Sequence, residues 1–272
     1  NVERSILQGI KRAREYGNRI MLLEAEDIAA GVIKHLSAVV DQEKIMVAGS
    51  FRRRRETVRD LDILVTGDSA GVSERFLSFP QIAKVLSSGG TRITVVLKSG
   101  VQVDIRVVPR ESCGSVLHYF TGSKSHNIAI RKRGVKRGLK INEYGVFRGE
   151  KRIGGEREED VFSAVELPYI EPELREDTGE IEAAERGELP SLIELSQIRG
   201  DLHAHTSRTD GHASMEDMVA AAKAKGYEYL AITDHSKHLA MARGLKERDL
   251  AEQIEHIDKL NETLDGFTVL KG

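Results

Sequence analysis

Apolar residues Ile20, Leu23, Ile28, Val32, Ile33, Leu36 and Val40 recur at helical spacing, which predicts an amphipathic helix over 19–41. A short buried strand is expected over 44–48, running into Gly49-Ser50, and a second over 60–66. Two more, 92–97 and 101–108, flank Lys98-Ser99-Gly100 and predict a hairpin. Helical patterns follow at 111–121 and 123–137, then an extended stretch at 140–147 and a short helix near 156–166. Between 168 and 198 the periodicity fades among Pro168, Pro172, Pro190 and many acids, the pattern of a connector with one helical turn or two. Beyond it strands at 200–203, 229–233 and 267–271 alternate with helices at 214–226 and 246–264. That alternation implies a parallel sheet or βα barrel. No internal repeat or low-complexity tract interrupts this pattern.

Composition narrows the picture. A chain of 272 residues, 40% hydrophobic, has length for one or two domains, and no apolar run reaches membrane-spanning length. The polar opening Asn1-Val2-Glu3-Arg4-Ser5 shows no secretory signal. The single cysteine, Cys113, excludes an internal disulfide framework and fits a reducing cytoplasm. Both ends read as cut, so a segment of a longer protein is expected. Net charge is only −2, yet its distribution is uneven. No acid occurs from Leu117 to Asn142, a stretch holding Lys124, Arg131, Lys132, Arg133, Lys136, Arg137 and Lys140. Arg52-Arg53-Arg54-Arg55 forms a second basic cluster. Each cluster is either a solvated face or a footprint for an anion.

Asp60 and Asp62 alternate on one strand and therefore leave the same face. Carboxylates that close repel unless a cation lies between them. Asp104, among Val101, Val103, Ile105 and Val107, is expensive to bury without a partner. If its strand lies beside that of Asp60, the three acids can hold two metals of the kind that align an attacking hydroxyl with a phosphate. Gly49-Ser50 offers backbone N–H groups and a hydroxyl to phosphate, and Arg53 a planar cation. A D-x-D pair alone is also the ordinary pattern of an exposed strand end.

The wider set, Val47-Ala48-Gly49-Ser50-Phe51-Arg52-Arg53, then Glu56-Thr57, Asp60-Leu61-Asp62-Ile63-Leu64 and Val103-Asp104-Ile105-Arg106, resembles the nucleotidyltransferase signature of bacterial-type family X DNA polymerases. His118-Tyr119-Phe120-Thr121-Gly122-Ser123 resembles the family segment that lines the sugar of the incoming nucleotide, and Gly138-Leu139-Lys140-Ile141-Asn142-Glu143-Tyr144 a further one. The resemblance runs from about residue 7 to 170. It implies that Asp60 and Asp62 bind both catalytic metals, Mg²⁺ or Mn²⁺, and that Asp104 completes the one at the primer 3′-hydroxyl. It implies that Gly49, Ser50 and Arg53 hold the triphosphate, and that Tyr119, Phe120, Gly122 and Asn127 meet the nucleotide. Arg131, Lys132 and Lys136 would meet template and primer. The lesser alternative is that Tyr119 and Phe120 are helix core and Arg131 a surface charge. Arg59 stands where many members have glycine before the first aspartate, and Arg54 replaces another common glycine.

Asp201-Leu202-His203-Ala204-His205-Thr206 places two imidazoles on one face of a strand end, a spacing suited to a divalent ion. Asp210-Gly211 follows, and Ile232-Thr233-Asp234-His235-Ser236 ends the next strand. Together they resemble the first two motifs of PHP domains. The resemblance implies that His203, His205, Asp210 and His235 are ligands for Zn²⁺ or Mn²⁺ and that the domain continues past Gly272. His212 and His238 match no ligand position and are expected in solvent.

The expected fold class is α/β: an α+β nucleotidyltransferase palm with a mixed sheet and a helical thumb, then the start of a βα PHP barrel. The expected domains are 1–18, the end of an upstream DNA-binding helical subdomain; 19–112, the palm; 113–170, a nucleotide- and template-binding subdomain; 171–198, a linker; and 199–272, the incomplete PHP portion. The partners implied are gapped or primed DNA and a dNTP, with no membrane, for a monomer. The activity implied is gap-filling synthesis, with 3′–5′ exonuclease or phosphoesterase work in the complete PHP domain. A non-templated nucleotidyltransferase, a DNA-binding scaffold weakened by Arg59, and a chiefly phosphoesterase protein are the alternatives. The Tyr119–Ser123 segment and the basic helix disfavour the first.

Overall fold

The computed structural model describes residues 19–67 and 71–272, which form two compact units dividing between Leu189 and Pro190. The expected subdomain at 1–18 lies outside the described residues.

The first unit opens with β1 (Ile20–Met21) and α1 (Leu22–Leu36), then β2 (Ile45–Val47), α2 (Gly49–Arg52), β3 (Thr57–Val58) and β4 (Asp60–Thr66). α3 (Val72–Leu77), β5 (Ile82–Ser88), β6 (Arg92–Leu97) and β7 (Gln102–Val108) follow. The main sheet has the order β2-β4-β7-β6-β5; β4 and β7 run parallel and the other pairs antiparallel. β1 and β3 form a separate antiparallel pair. Ala25, Ala29, Val32 and Leu36 line one face of α1 and pack on Leu61, Ile63, Val65, Ile93, Val95 and Ile105 in a continuous core. The predicted helix begins three residues later than its pattern, because Ile20 and Met21 pair with Val58 and Thr57.

α4 (Cys113–Thr121) and α5 (Lys124–Lys136) come next, then the meander β8 (Lys140–Asn142), β9 (Gly145–Arg148) and β10 (Lys151–Gly154), and the helices α6 (Glu158–Ala164) and α7 (Glu180–Arg186). Ser123 accepts a hydrogen bond from the His126 backbone N–H at 3.3 Å, capping α5. A second core gathers Ile130, Ile141, Val146, Val161, Phe162, Leu167, Ile170 and Ala184. The segment expected as a linker from 171 thus divides: residues 171–189 are packed into the first unit, with Arg175 fully buried, and only 190–199 connect onward without a helix or strand longer than one 3₁₀ turn.

The second unit alternates β11 (Gly200–Ala204), α8 (Met215–Ala224), β12 (Tyr229–Ile232), α9 (Glu247–Thr263) and β13 (Thr268–Lys271). Its three strands are parallel in the order β11-β12-β13, packed through Leu230, Ile232 and Val269 on Met215, Val219 and Ile257. The strand–helix alternation read from the sequence is the architecture observed. Among the described residues no helix is long and apolar enough to cross a membrane.

Candidate active site

The parallel ladder between β4 and β7 sets Asp62 directly opposite Asp104, and Asp60 opposite Gln102. Because side chains alternate along a strand, Asp60, Asp62 and Asp104 all leave the same face of the sheet. Asp62 is largely withdrawn from solvent; burial, then the charges of Asp60 and Asp104, push its carboxyl up to about 7. That crowding of negative charge is the condition a divalent cation relieves, so the residues fit the metal their sequence implies.

Asp104 itself is firmly held. It accepts hydrogen bonds from the Thr94 hydroxyl at 2.5 Å, the Gln102 amide at 2.6 Å and the Arg92 guanidinium at 3.1 Å. Burial alone would raise its carboxyl, but these three donors outweigh it and hold it below the ordinary range. Arg59 donates to Asp60 at 3.1 Å, so this arginine meets an acid of the triad.

Beside Asp60 and Asp62 opens a cavity of about 440 Å³, lined by Gly49, Ser50, Arg53, Tyr119, Phe120, Thr121, Gly122, Ser123, Lys124, Asn127 and Arg131. Every residue expected to meet a nucleotide is therefore on its wall, with Arg131 at one side. Asp104 does not line it. Gly49 is required twice over: its φ is +66°, and a Cβ there would lie 2.8 Å from the Asp62 Oδ2. Gly49-Ser50 begins a helix, α2, where the sequence suggested only a strand end. Arg53 is fixed by Glu176 at 2.8 Å and by the Thr121 carbonyl at 2.5 Å. Asn127 donates to the Tyr119 carbonyl at 2.7 Å, while its buried carbonyl oxygen has no partner among the described residues. Tyr119 and Phe120 meet edge to face at 5.2 Å, and the Arg106 guanidinium stacks 4.3 Å from the Phe120 ring. The two aromatics are half-buried, so they combine helix packing with exposure to the cavity.

The basic residues separate into two kinds. Arg52 donates two hydrogen bonds to Glu158, at 2.8 and 2.7 Å, and others to Thr121 and Tyr169. Arg133 is tied to Glu185 and the Val165 carbonyl, and Arg137 to Glu166. Arg54, at φ +54°, pairs with Glu26; its left-handed backbone explains why glycine suits that position. Arg131, Lys132 and Lys136 are exposed, and no acid among the described residues pairs with them.

What sequence reasoning missed is the buried polar centre behind the cavity. Glu158 also accepts from Arg175 at 2.5 Å, and His126 bonds Glu180 at 2.7 Å. Its only sequence signal is charge inside apolar periods, which does not reveal partners many residues apart.

In the second unit, ligand atoms of His205, Asp210 and His235 all lie within 4.8 Å of one another. His205 Nδ1 is 2.8 Å from Asp210, and His235 Nε2 is 3.3 Å. Two imidazoles and a carboxylate form a donor set that suits zinc or manganese. His203 is outside this group, although its Nε2 lies 3.0 Å from that of His205. His212 and His238 are exposed, as expected. Asp234, which the sequence did not single out, accepts from the Thr206 N–H at 2.8 Å, the Thr206 hydroxyl at 2.5 Å and Gln253 at 2.6 Å. It thereby ties the end of β12 to the turn that carries Asp210.

Comparisons with known proteins agree with this division. Family models match for the DNA polymerase beta palm at residues 19–98, the DNA polymerase beta thumb at 116–176 and the PHP domain at 201–265. The chain is 42% identical over 277 residues to "DNA polymerase/3′-5′ exonuclease PolX" of Bacillus subtilis (strain 168), covering 99% of this chain and 48% of that protein. It is 26% identical over 200 residues to DNA polymerase lambda of Rattus norvegicus, covering 62% of this chain and 35% of the rat protein. The chain thus spans at most about half the length of these relatives. Among solved structures, the ternary gap complex of Leishmania infantum polymerase beta shares the fold with a TM-score of 0.53 at 22% identity, over 62% of this chain and 74% of that one. Its ternary P/T complex gives 0.52 at 23% identity, over 62% and 80%.

Proposed function

This chain belongs to the bacterial-type family X DNA polymerases, with a polymerase beta palm and thumb followed by PHP sequence, and on that premise we propose that it extends a primer by nucleotidyl transfer in gap-filling repair. One observation carries the reading: Asp62 and Asp104 are register partners on parallel strands, with Asp60 on the same face, beside a cavity walled by Gly49, Ser50 and Arg53. Mg²⁺ or Mn²⁺, held by Asp60, Asp62 and Asp104, would lower the pKa of the 3′-hydroxyl and neutralise the leaving pyrophosphate. Ser50 and Arg53 take the β- and γ-phosphates of a dNTP. Tyr119, Phe120 and Gly122 face the sugar, and Asn127 offers its unpartnered oxygen to the nucleotide. Arg131, Lys132 and Lys136 carry the backbone of gapped or primed DNA. The protein acts as a monomer in the cytoplasm. His205, Asp210 and His235, joined by His203, hold Zn²⁺ or Mn²⁺ for phosphoester hydrolysis by the PHP domain. The relatives are named as a polymerase with 3′-5′ exonuclease and as polymerase lambda, which supports both halves of this reading.

Gap filling on a one-nucleotide gapped duplex tests it. Asp104→Ala should abolish extension while His205→Ala leaves it intact; equal loss from both would overturn the division of roles.

A further inference from the structure

A cavity of about 570 Å³ in the second unit is not the metal cluster itself but a basic pocket beside it. Arg208, Lys237, Arg243 and Lys246 contribute to its wall, with Asp249 and Glu252. Lys237 pairs with Glu247. Arg208 donates to the Asp249 carbonyl at 3.3 Å and Arg243 to the Thr209 carbonyl, so both guanidinium groups are oriented without being neutralised. Among the described residues no carboxylate lies within ion-pair distance of Arg208, Arg243 or Lys246; Asp249 and Glu252, on the same wall, lie 3.8 and 3.6 Å from Arg248. Four cations against two carboxylates around one concavity leave a surplus of positive charge that an anion would satisfy.

The pocket is built onto the metal ligands. Arg208 stands two residues before Asp210, and Lys237 two after His235. The loop between them and α9 closes back on the strand end: the Leu245 N–H donates to the His235 carbonyl at 2.7 Å, and Ser236 bridges Leu245. A Cβ at Gly244 would fall 1.9 Å from the Ser236 carbonyl oxygen, so the closure needs glycine. Arg243 is held at φ +57°, a left-handed conformation that arginine rarely adopts, and its side chain is fixed to the turn before Asp210.

We propose that this pocket is a phosphate-binding subsite: it grips the phosphodiester of a nucleic-acid strand next to the one presented to the His205–Asp210–His235 cluster. Guanidinium groups suit phosphate oxygens in a fork geometry, and the pocket has room for a nucleotide rather than for orthophosphate alone. The same chemistry could receive a free mononucleotide, which the test distinguishes. The inference rests on the position of the cluster and not on the polymerase reading of the first unit.

The experiment follows arginine side-chain Nε–H resonances of the whole chain in EDTA, with Arg208 and Arg243 assigned by their lysine variants. Inorganic phosphate, thymidine 5′-monophosphate and a thymidine trinucleotide, whose two phosphodiesters exceed the monophosphate's one phosphate by one, are added in turn. Saturable shifts of Arg208 and Arg243, absent at the exposed Arg248, are expected with all three, and the trinucleotide should saturate at about tenfold lower concentration for one more charge-assisted contact. Equal saturation by monophosphate and trinucleotide would keep the phosphate site and assign it to mononucleotides, against the strand. Lys246→Gln, whose side chain makes no hydrogen bond among the described residues, should weaken trinucleotide binding at these resonances about tenfold. Unmoved Arg208 and Arg243 signals, or shifts that Lys246→Gln leaves unchanged, would overturn the proposal. Because both signals belong to the second unit, failure of the palm to polymerise would not alter the result.

Discussion

Arg52 and Glu158, 106 residues apart in sequence, meet through two parallel hydrogen bonds of 2.8 and 2.7 Å in the buried centre of the first unit. The bond joins the turn that presents Ser50 and Arg53 to the helix α6, and Arg175, stacked 4.9 Å from the Phe162 ring, closes the same carboxylate from the other side. Removing one partner of a buried ion pair strands the others, at roughly 3–5 kcal/mol. Glu158→Gln should therefore lower the stability of this unit by that order, measured by urea unfolding. A loss under about 1 kcal/mol would show that Arg52 and Arg175 are content without it.

Acid should unfold the same unit early. Burial, then the nearby Arg175 and His126, depress the His118 imidazole to about 3. The unfolded imidazole takes up a proton below about pH 6.5, and the folded one does not. Stability is thus full above that pH and falls as pH drops toward 3, by up to roughly 1.4 kcal/mol per unit. Burial would raise Glu158, but Arg52 and Arg175 outweigh it and bring it to about 2, adding a loss between 4.5 and 2. In denaturation between pH 6 and 5, His118→Gln should flatten the slope; an unchanged slope would contradict the assignment.

Gly49→Ala tests the cavity wall. The added methyl meets the Asp62 carboxylate at 2.8 Å in a left-handed backbone. A cost of about 1–2 kcal/mol in stability is expected. Displacing the phosphate-binding turn should slow gap filling about a hundredfold, in line with the cost of small misplacements in catalytic geometry. Extension at the normal rate would show that this close approach has no part in the chemistry.

The basic helix makes a separate prediction. Lys132 and Lys136 are exposed, whereas Arg133 and Arg137 are spent on Glu185 and Glu166. Lys132→Ala with Lys136→Ala should reduce the slope of log affinity for gapped DNA against log salt by up to about 1.8, near 0.9 for each phosphate lost. A slope equal to the unmodified chain's would remove these two lysines from the footprint.

How much was legible follows from the range of each interaction. β4 was read to the residue because Asp60–Thr66 combines alternation with a β-branched run, and Asp104 betrayed itself as an acid among valines. The Gly49-Ser50 turn, its cavity partners and the His205 cluster came with local motifs. β5 was missed because it lies at the sheet edge with almost every residue exposed, so no inward period marks it. α3 is a single short stretch, and β1 pairs with β3 across 38 positions. Arg52–Glu158–Arg175 and His126–Glu180 are complementary only after folding, and 171–189 read as a linker because its acids and prolines hid Arg175, Glu180 and Ala184 as buried positions.

The central claim is that Asp60, Asp62 and Asp104 share divalent cations at the cavity. Manganese bound to the whole chain, counted by electron paramagnetic resonance with a non-hydrolysable dNTP present, measures it directly. Asp62→Asn should lose the nucleotide-dependent manganese while His235→Ala retains it. Nucleotide-dependent manganese that survives Asp62→Asn undiminished would contradict the account.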